Sequence, residues 1–220
     1  TGYTIRYFKS TNYGASWGSA STVRVESAGD SIAGLGGDIR STGGDHDPML
    51  FYCYNPAGEG ADSVLKYVEY SGGWGAPSTW PVSGKYALKG VACSPQGDWN
   101  LLVAGRESDA PYNWRLWAIV LGDGYGYGVG TWGNLEEILI SDNLALSFQY
   151  PSLVYADLFR ALYQESFSAA GGYDRLVLFR NVSGTDYVDN QFTEGTPLNL
   201  TTSYNGVLAH TMGSYLYILT

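Results

Sequence analysis

The side chains able to do chemistry are few, and most are carboxylates: 21 Asp and Glu stand against 12 Lys and Arg, with only His46 and His210 as histidines. Two lone histidines leave no credible Ser/His/Asp set, and neither a CxxC pair nor a phosphate-cradling glycine loop occurs. Glu165, Asp109 and Asp30 are the acids that could act as a proton-transferring or nucleophilic pair. Asp45 and Asp47 flank His46 behind Gly43-Gly44, and a carboxylate-rich loop of this kind suits Ca2+. A solvated turn ahead of Pro48 explains the same residues without a metal, and no other cofactor is implied. Cys53 and Cys93 lie in the apolar runs Leu50-Phe51-Tyr52-Cys53-Tyr54 and Gly90-Val91-Ala92-Cys93 and read as free core thiols.

A second group of residues could bind without reacting. Tyr86, Tyr112, Tyr150, Tyr204 and Trp80 offer flat aromatic surfaces, and Lys89, Asn205 and Arg106 lie close to them along the chain. An aromatic platform with polar neighbours holds a ligand that presents apolar CH faces and many hydroxyls, as a sugar does; the plainer use of such rings is packing between sheets. Charge narrows the partners. With a net charge of −9 and lysine only at positions 9, 66, 85 and 89, the surface should repel nucleic acid and anionic lipid, both bound mainly through their phosphates. No apolar run approaches the roughly 18 residues of a membrane span, so insertion is not expected. The chain starts at Thr1 without a Met, which fits a mature or excised piece, and Asn181-Val182-Ser183 and Asn199-Leu200-Thr201 match the glycosylation acceptor pattern.

The elements that must position these residues are set by a repeat. Trp17-Gly18 returns as Trp74-Gly75 and Trp132-Gly133, and Phe192 begins a weaker echo, at intervals of 57, 58 and 60 residues. Between these markers run short alternating or apolar stretches bounded by Gly, Asn and Ser, the pattern of strands. The second unit gives strands over 31–38, 48–54, 63–70 and 74–82. The third gives 87–94, 98–105, 113–121 and 131–140, and the fourth gives 148–155, 159–165, 175–182 and 192–200. Thr4 to Lys9 and Trp17 to Val25 read as the last two strands of a unit, and Gly206 to Met212 and Ser214 to Leu219 as the first two.

Ser10-Thr11-Asn12-Tyr13-Gly14-Ala15-Ser16-Trp17 resembles the Asp-box, the Ser-x-Asp-x-Gly-x-x-Trp hairpin of sialidase-like β-propellers, with Asn12 in place of the usual Asp. Asn can hydrogen-bond its own turn, Gly14 takes φ > 0, and Trp17 is expected to be buried against a neighbouring sheet. The resemblance implies an all-β propeller forming one domain over 1–220. Its blades would span about 30–82, 86–140 and 147–200, with a fourth made by 204–220 and 1–25 together. A slice of a larger propeller is the alternative. Small residues on the first strands, among them Gly34, Gly90, Ser152 and Gly206, suit a narrow four-sheet ring.

Propeller geometry would gather the second-to-third loops and the links between blades on one face. Alignment on Gly34, Gly90, Pro151 and Gly206 then brings Ala33, Lys89, Tyr150 and Asn205 to the mouth of the channel, with Tyr86, Tyr204, Arg106 and Tyr112 nearby. The expected function is non-catalytic binding of a glycan or other cell-surface ligand by an extracellular or virion-surface module, in adhesion or receptor binding. The first alternative is a sialidase-like glycoside hydrolase using Glu165, Asp109 or Asp30. Against it, the Phe/Tyr-Arg-Ile-Pro motif of that family is absent, and Asp47-Pro48 matches the five-bladed arabinanases only superficially. A structural module that binds protein through its loops is the second alternative.

Overall fold

The computed structural model describes residues 2–42, 45–56, 62–80, 86–95, 99–109, 112–122, 131–132, 136–141, 146–156, 158–167, 173–181, 192–194, 198–200, 208–212 and 215–219. Side-chain detail within them covers 2–39 and 48–132, with Ser141, Pro151 and Leu153. All regular structure among these residues is β, in antiparallel sheets.

An N-terminal ribbon pairs β1 (Thr4–Tyr7) with β2 (Ser21–Val25). A first sheet has the order β3 (Ser31–Thr42), β4 (Asp45–Asn55), β5 (Val64–Glu69), β6 (Ser78–Thr79). A second runs β7 (Tyr86–Ser94), β8 (Trp99–Glu107), β9 (Trp114–Leu121), β10 (Glu136–Ser141). The third runs β11 (Leu146–Ala156), β12 (Leu158–Phe167), β13 (Tyr173–Asn181), and both β14 (Phe192–Glu194) and β15 (Leu198–Leu200) pair with β13. A C-terminal ribbon pairs β16 (Leu208–Met212) with β17 (Tyr215–Leu219).

Alternation decides how the sheets stack. On β4, Met49, Phe51 and Cys53 join a core with Leu101, Val103 and Trp117 of the second sheet, whereas Leu50, Tyr52 and Tyr54 face a cluster that includes Ile5 and Val23 of the N-terminal ribbon. The first sheet is therefore covered on both faces. β8 is buried from Trp99 to Gly105 without alternation, as a strand must be when both its faces are packed. Leu101, Leu102, Leu116 and Ile119 are fully buried, each worth about 1.5–3 kcal/mol of transfer free energy.

The first strands of successive sheets pack on one another: β3 on β7, β7 on β11, and β11 on β16. Gly34 and Gly90 make the close approach possible. A Cβ on Gly34 would lie 2.6 Å from Gly90 Cα, and one on Gly90 would lie 2.5 Å from Pro151 Cδ. The repeated aromatics tie the outer strands. Trp74 packs edge-on to Tyr7 of β1 at 5.7 Å, and Trp132 packs edge-on to Tyr67 of β5, also at 5.7 Å.

Several expectations are corrected. The single terminal sheet is not formed among the described strands, since β1 pairs only with β2 and β16 only with β17; the two ribbons stand at opposite ends of the chain, so no turn sets a register between them. Both described parts of the last strand expected over 192–200, β14 and β15, pair with β13; residues 195–197 lie outside the described residues. Asp45, His46 and Asp47 are not a loop but the start of β4, opposite Thr42, Ser41 and Arg40. Trp17 is 64% exposed and does not fill a gap between sheets.

The turn before it closes as its residue types dictate. Ser16 N donates to Asn12 Oδ1 (2.9 Å), Gly14 N donates to Ser10 Oγ (2.8 Å), and Asn12 Nδ2 reaches Ser16 Oγ (2.8 Å). Gly14 has φ +84°, and Tyr13 also lies in the left-handed region at φ 55°.

Candidate functional site

The three first strands share one irregularity. Between Ile32 and Gly34, between Leu88 and Gly90, and between Gln149 and Ser152 the pairing slips by a residue. These are β-bulges, and the inserted residues are Ala33, Lys89 and the Tyr150-Pro151 pair. A bulge bends its strand and re-aims the extra side chain. The contacts already described place the bulges side by side, because Gly34 lies against Lys89 O and Gly90 Cα, and Gly90 lies against Pro151. Three neighbouring strands thus carry a small, a cationic and an aromatic residue at corresponding bulge positions.

The second strands add another row at that end. Asn55 stands opposite Ser31, Arg106 opposite Ala87, and Glu165 opposite Phe148, in each case two residues before the bulge residue of the first strand. Asn55 is buried; it donates to Ser31 Oγ at 3.1 Å and accepts from Ser63 Oγ. Ser63 N in turn donates to Tyr86 O at 2.7 Å, and Leu88 N donates to Ser63 Oγ at 3.0 Å, which ties the first sheet to the start of β7.

Arg106 lies near the end of β8, and Tyr112 in the loop between β8 and β9. Arg106 Nε donates to Tyr112 O at 3.1 Å, and its guanidinium stands 5.2 Å from the Tyr112 ring centre. Tyr112 has φ 63°, a left-handed conformation that a bulky side chain rarely adopts, and it is 41% exposed. Neighbouring bonds hold the loop in that shape. Tyr112 N donates to Asp109 O, Asn113 N donates to Glu107 Oε2, and Arg115 Nε donates to Glu107 Oε1 at 2.9 Å. Ser108 Oγ bonds Asp62 across from the first sheet. Tyr86 pairs with Glu107 and packs edge-on to Trp117 at 4.9 Å, so its ring is committed to the core side.

Of the expected site residues, the structure brings Lys89, Tyr86, Arg106 and Tyr112 to one end of the second sheet, with the backbone of Tyr150 beside them and Glu165 one sheet further on. Asn205 and Tyr204 lie outside the described residues. Asp109 sits in the β8–β9 loop as an exposed residue. Asp30 is 9% exposed and accepts the Tyr54 hydroxyl at 2.8 Å, an arrangement that raises the Tyr54 pKa to about 12. Asp45 and Asp47 have backbone positions in β4, and their side chains lie outside the described ones. Among the described residues no three His, Cys, Asp or Glu side chains gather as a metal-ligand set.

The least legible feature is a buried polar knot on the other side of the first sheet. Glu26 accepts from the Tyr52 hydroxyl at 2.8 Å, from Arg24 Nε at 3.3 Å and from Lys66 Nζ at 3.4 Å, while Lys66 Nζ sits 3.3 Å from the Tyr54 ring centre. Burial pushes the Glu26 carboxyl upward, but the Tyr52 hydroxyl and the two cations outweigh it and hold it below the usual carboxylate range. Burial first, and then Glu26 as acceptor, push the Tyr52 hydroxyl far up. Tyr52 is fully buried with its hydroxyl held by Glu26, so the knot ties the residue after β2 to the first sheet. Glu26 follows the short strand β2 and has no periodic partner, so only the alternation of Tyr52 and Tyr54 with Phe51 and Cys53 hinted at a second buried face.

Comparisons with family models, with curated proteins and with solved structures returned no match to this chain.

Proposed function

We propose that the chain is a four-bladed β-propeller that binds a carbohydrate without turning it over, as an adhesion or receptor-binding module on the surface of a cell or virion. The single observation that carries the reading is the bulge repeated at Ala33, Lys89 and Tyr150. It sets different chemistry at one level of neighbouring strands, which is what an asymmetric shallow site requires. The stacking of β3, β7, β11 and β16 in order supports the propeller, with these first strands innermost. Lys89 and Arg106 supply donors for hydroxyl or carboxylate oxygens, and Tyr112 supplies a partly exposed ring for a sugar's CH face.

A binding role predicts no sustained turnover of fluorogenic sialosides or arabinosides by the purified chain. Turnover that Glu165→Gln abolishes would replace the proposal with a glycoside hydrolase in which Glu165 is a catalytic carboxylate.

A further inference from the structure

The N-terminal ribbon covers only part of the sheet face on which it packs. Ile5 and Val23 of the ribbon, together with Trp74, close over Tyr52 and Val68, which are at most 1% exposed. On β3 the residues that share this face are Leu35, Gly37 and Ile39, at alternate positions opposite Tyr52, Leu50 and Pro48. These stay open: Leu35 is 54% exposed and Ile39 57%. Between the ribbon and β3 lies a cleft of about 400 Å³, with Leu35, Ile39 and Leu50 on the sheet side, Ile5 and Tyr7 on the ribbon side, and Trp74 completing the wall. Small-molecule sites have this form, a mostly apolar concavity of about 300–1,000 Å³ with a few placed polar groups.

The polar groups here are two charges of opposite sign, one from each wall. Arg6 of β1 and Asp38 of β3 both line the cleft and are both exposed. Arg24, Lys66 and Arg115 have carboxylate partners, in Glu26 and Glu107, whereas Arg6 forms no ion pair among the described residues. Asp38 Oδ1 accepts from Ile39 N at 2.7 Å, and its carboxylate meets no cation among the described residues. An apolar cleft between an unpaired guanidinium and an unpaired carboxylate complements a ligand with an apolar middle, an anionic group and a cationic group. A plain hydrocarbon would use neither charge, and a fatty acid would leave Asp38 unanswered. A short apolar peptide with free termini supplies all three parts.

We propose that this cleft is a second binding site, which takes a short apolar peptide with its carboxylate on Arg6, its ammonium on Asp38 and its side chains against Leu35, Ile39 and Trp74. The site is separate from the bulge row and does not rest on the glycan reading. Asp38 and the Ala33 bulge stand about 17 Å apart along β3 at the rise of a strand, about 3.4 Å per residue.

The test is calorimetric titration of the full chain with the dipeptide leucyl-phenylalanine, its N-acetyl form and its C-terminal amide. The parent should bind the free dipeptide and lose about three- to tenfold in affinity for either blocked form, the scale of one partly screened charge-assisted contact. Arg6→Gln should bind the free and amide forms equally while still discriminating against the acetyl form. Asp38→Asn should do the reverse, and its amide oxygen can still accept from Ile39 N. Leu35→Trp, at an exposed position, should fill the cleft and abolish binding at an unchanged unfolding midpoint. No binding by the parent at millimolar dipeptide would overturn the proposal, as would blocked forms that bind as well as the free one. A Leu35→Glu variant that fails to fold would also overturn it, by showing that this wall belongs to the core and is not open to a ligand.

Discussion

Gly90→Ala probes the packing on which the bulge row depends. A Cβ at this position would stand 2.5 Å from Pro151 Cδ and 3.1 Å from Pro151 Cγ, against an optimum of about 3.5–4.0 Å between carbon atoms. The proline ring cannot rotate away as a flexible side chain would, so β7 and β11 must separate by about 1 Å. Overpacking of this kind costs about 1–3 kcal/mol. Gly90 is not among the positive-φ glycines, so the alanine adds no backbone strain and recovers about 0.4–1 kcal/mol by restricting the unfolded chain. The net expectation is a loss of about 1–2 kcal/mol. Gly73→Ala is the matched control, because nothing lies within 4 Å of its Cβ position. Urea denaturation of both variants should show a lower midpoint for Gly90→Ala at an unchanged slope, with Gly73→Ala at or slightly above the parent. Equal midpoints for the two variants would mean that β7 and β11 do not approach as described, and the row of bulge residues would lose its basis.

Protonation of Glu26 should loosen the link to the first sheet. Its folded pKa lies below the ordinary value of 4.5, so its contribution to stability is fully present above that value and is lost as pH falls through the lower folded value. Thermal melts across this acid range should therefore show a steeper loss for the parent than for Glu26→Gln, and parallel curves would contradict the assignment. Cys53 is buried with its thiol pKa pushed up to about 12, and burial pushes Cys93 higher still, so both should resist a thiol reagent until denaturant is added. Rapid labelling of the native chain would show that these strands are open. Tyr112→Gly should leave stability unchanged or raise it by about 1 kcal/mol, since glycine accepts the left-handed φ of 63° at no cost. The same change should weaken glycan binding by about 1–3 kcal/mol, and affinity equal to the parent's would remove Tyr112 from the site.

Much of the architecture was legible because period-2 alternation and the Trp-Gly repeat are local signals. The strands around Phe51, Val103 and Trp117 fall close to where their apolar residues place them. Alignment on small residues picked out Ala33, Lys89 and Tyr150, which fall at the bulges of their strands, but nothing in the sequence beyond a following Gly or Pro signals those bulges. The failures are tertiary. Asp45, His46 and Asp47 look like a polar loop, yet pairing with β3 extends β4 through them. Trp17 has the composition of a buried plug, yet it stands 64% exposed. The knot around Glu26 brings together residues 24, 26, 52 and 66, a juxtaposition created only when the ribbon packs on the first sheet.

A glycan-array screen of the purified chain, with free sugar as competitor and with Lys89→Ala alongside, tests the proposed function most directly. The bulge-row site predicts specific, competable binding to a limited set of glycans, weakened by about 1–3 kcal/mol in Lys89→Ala with the fold intact, the scale of a charge-assisted hydrogen bond. Silence across the array, or binding that Lys89→Ala leaves untouched, would contradict it.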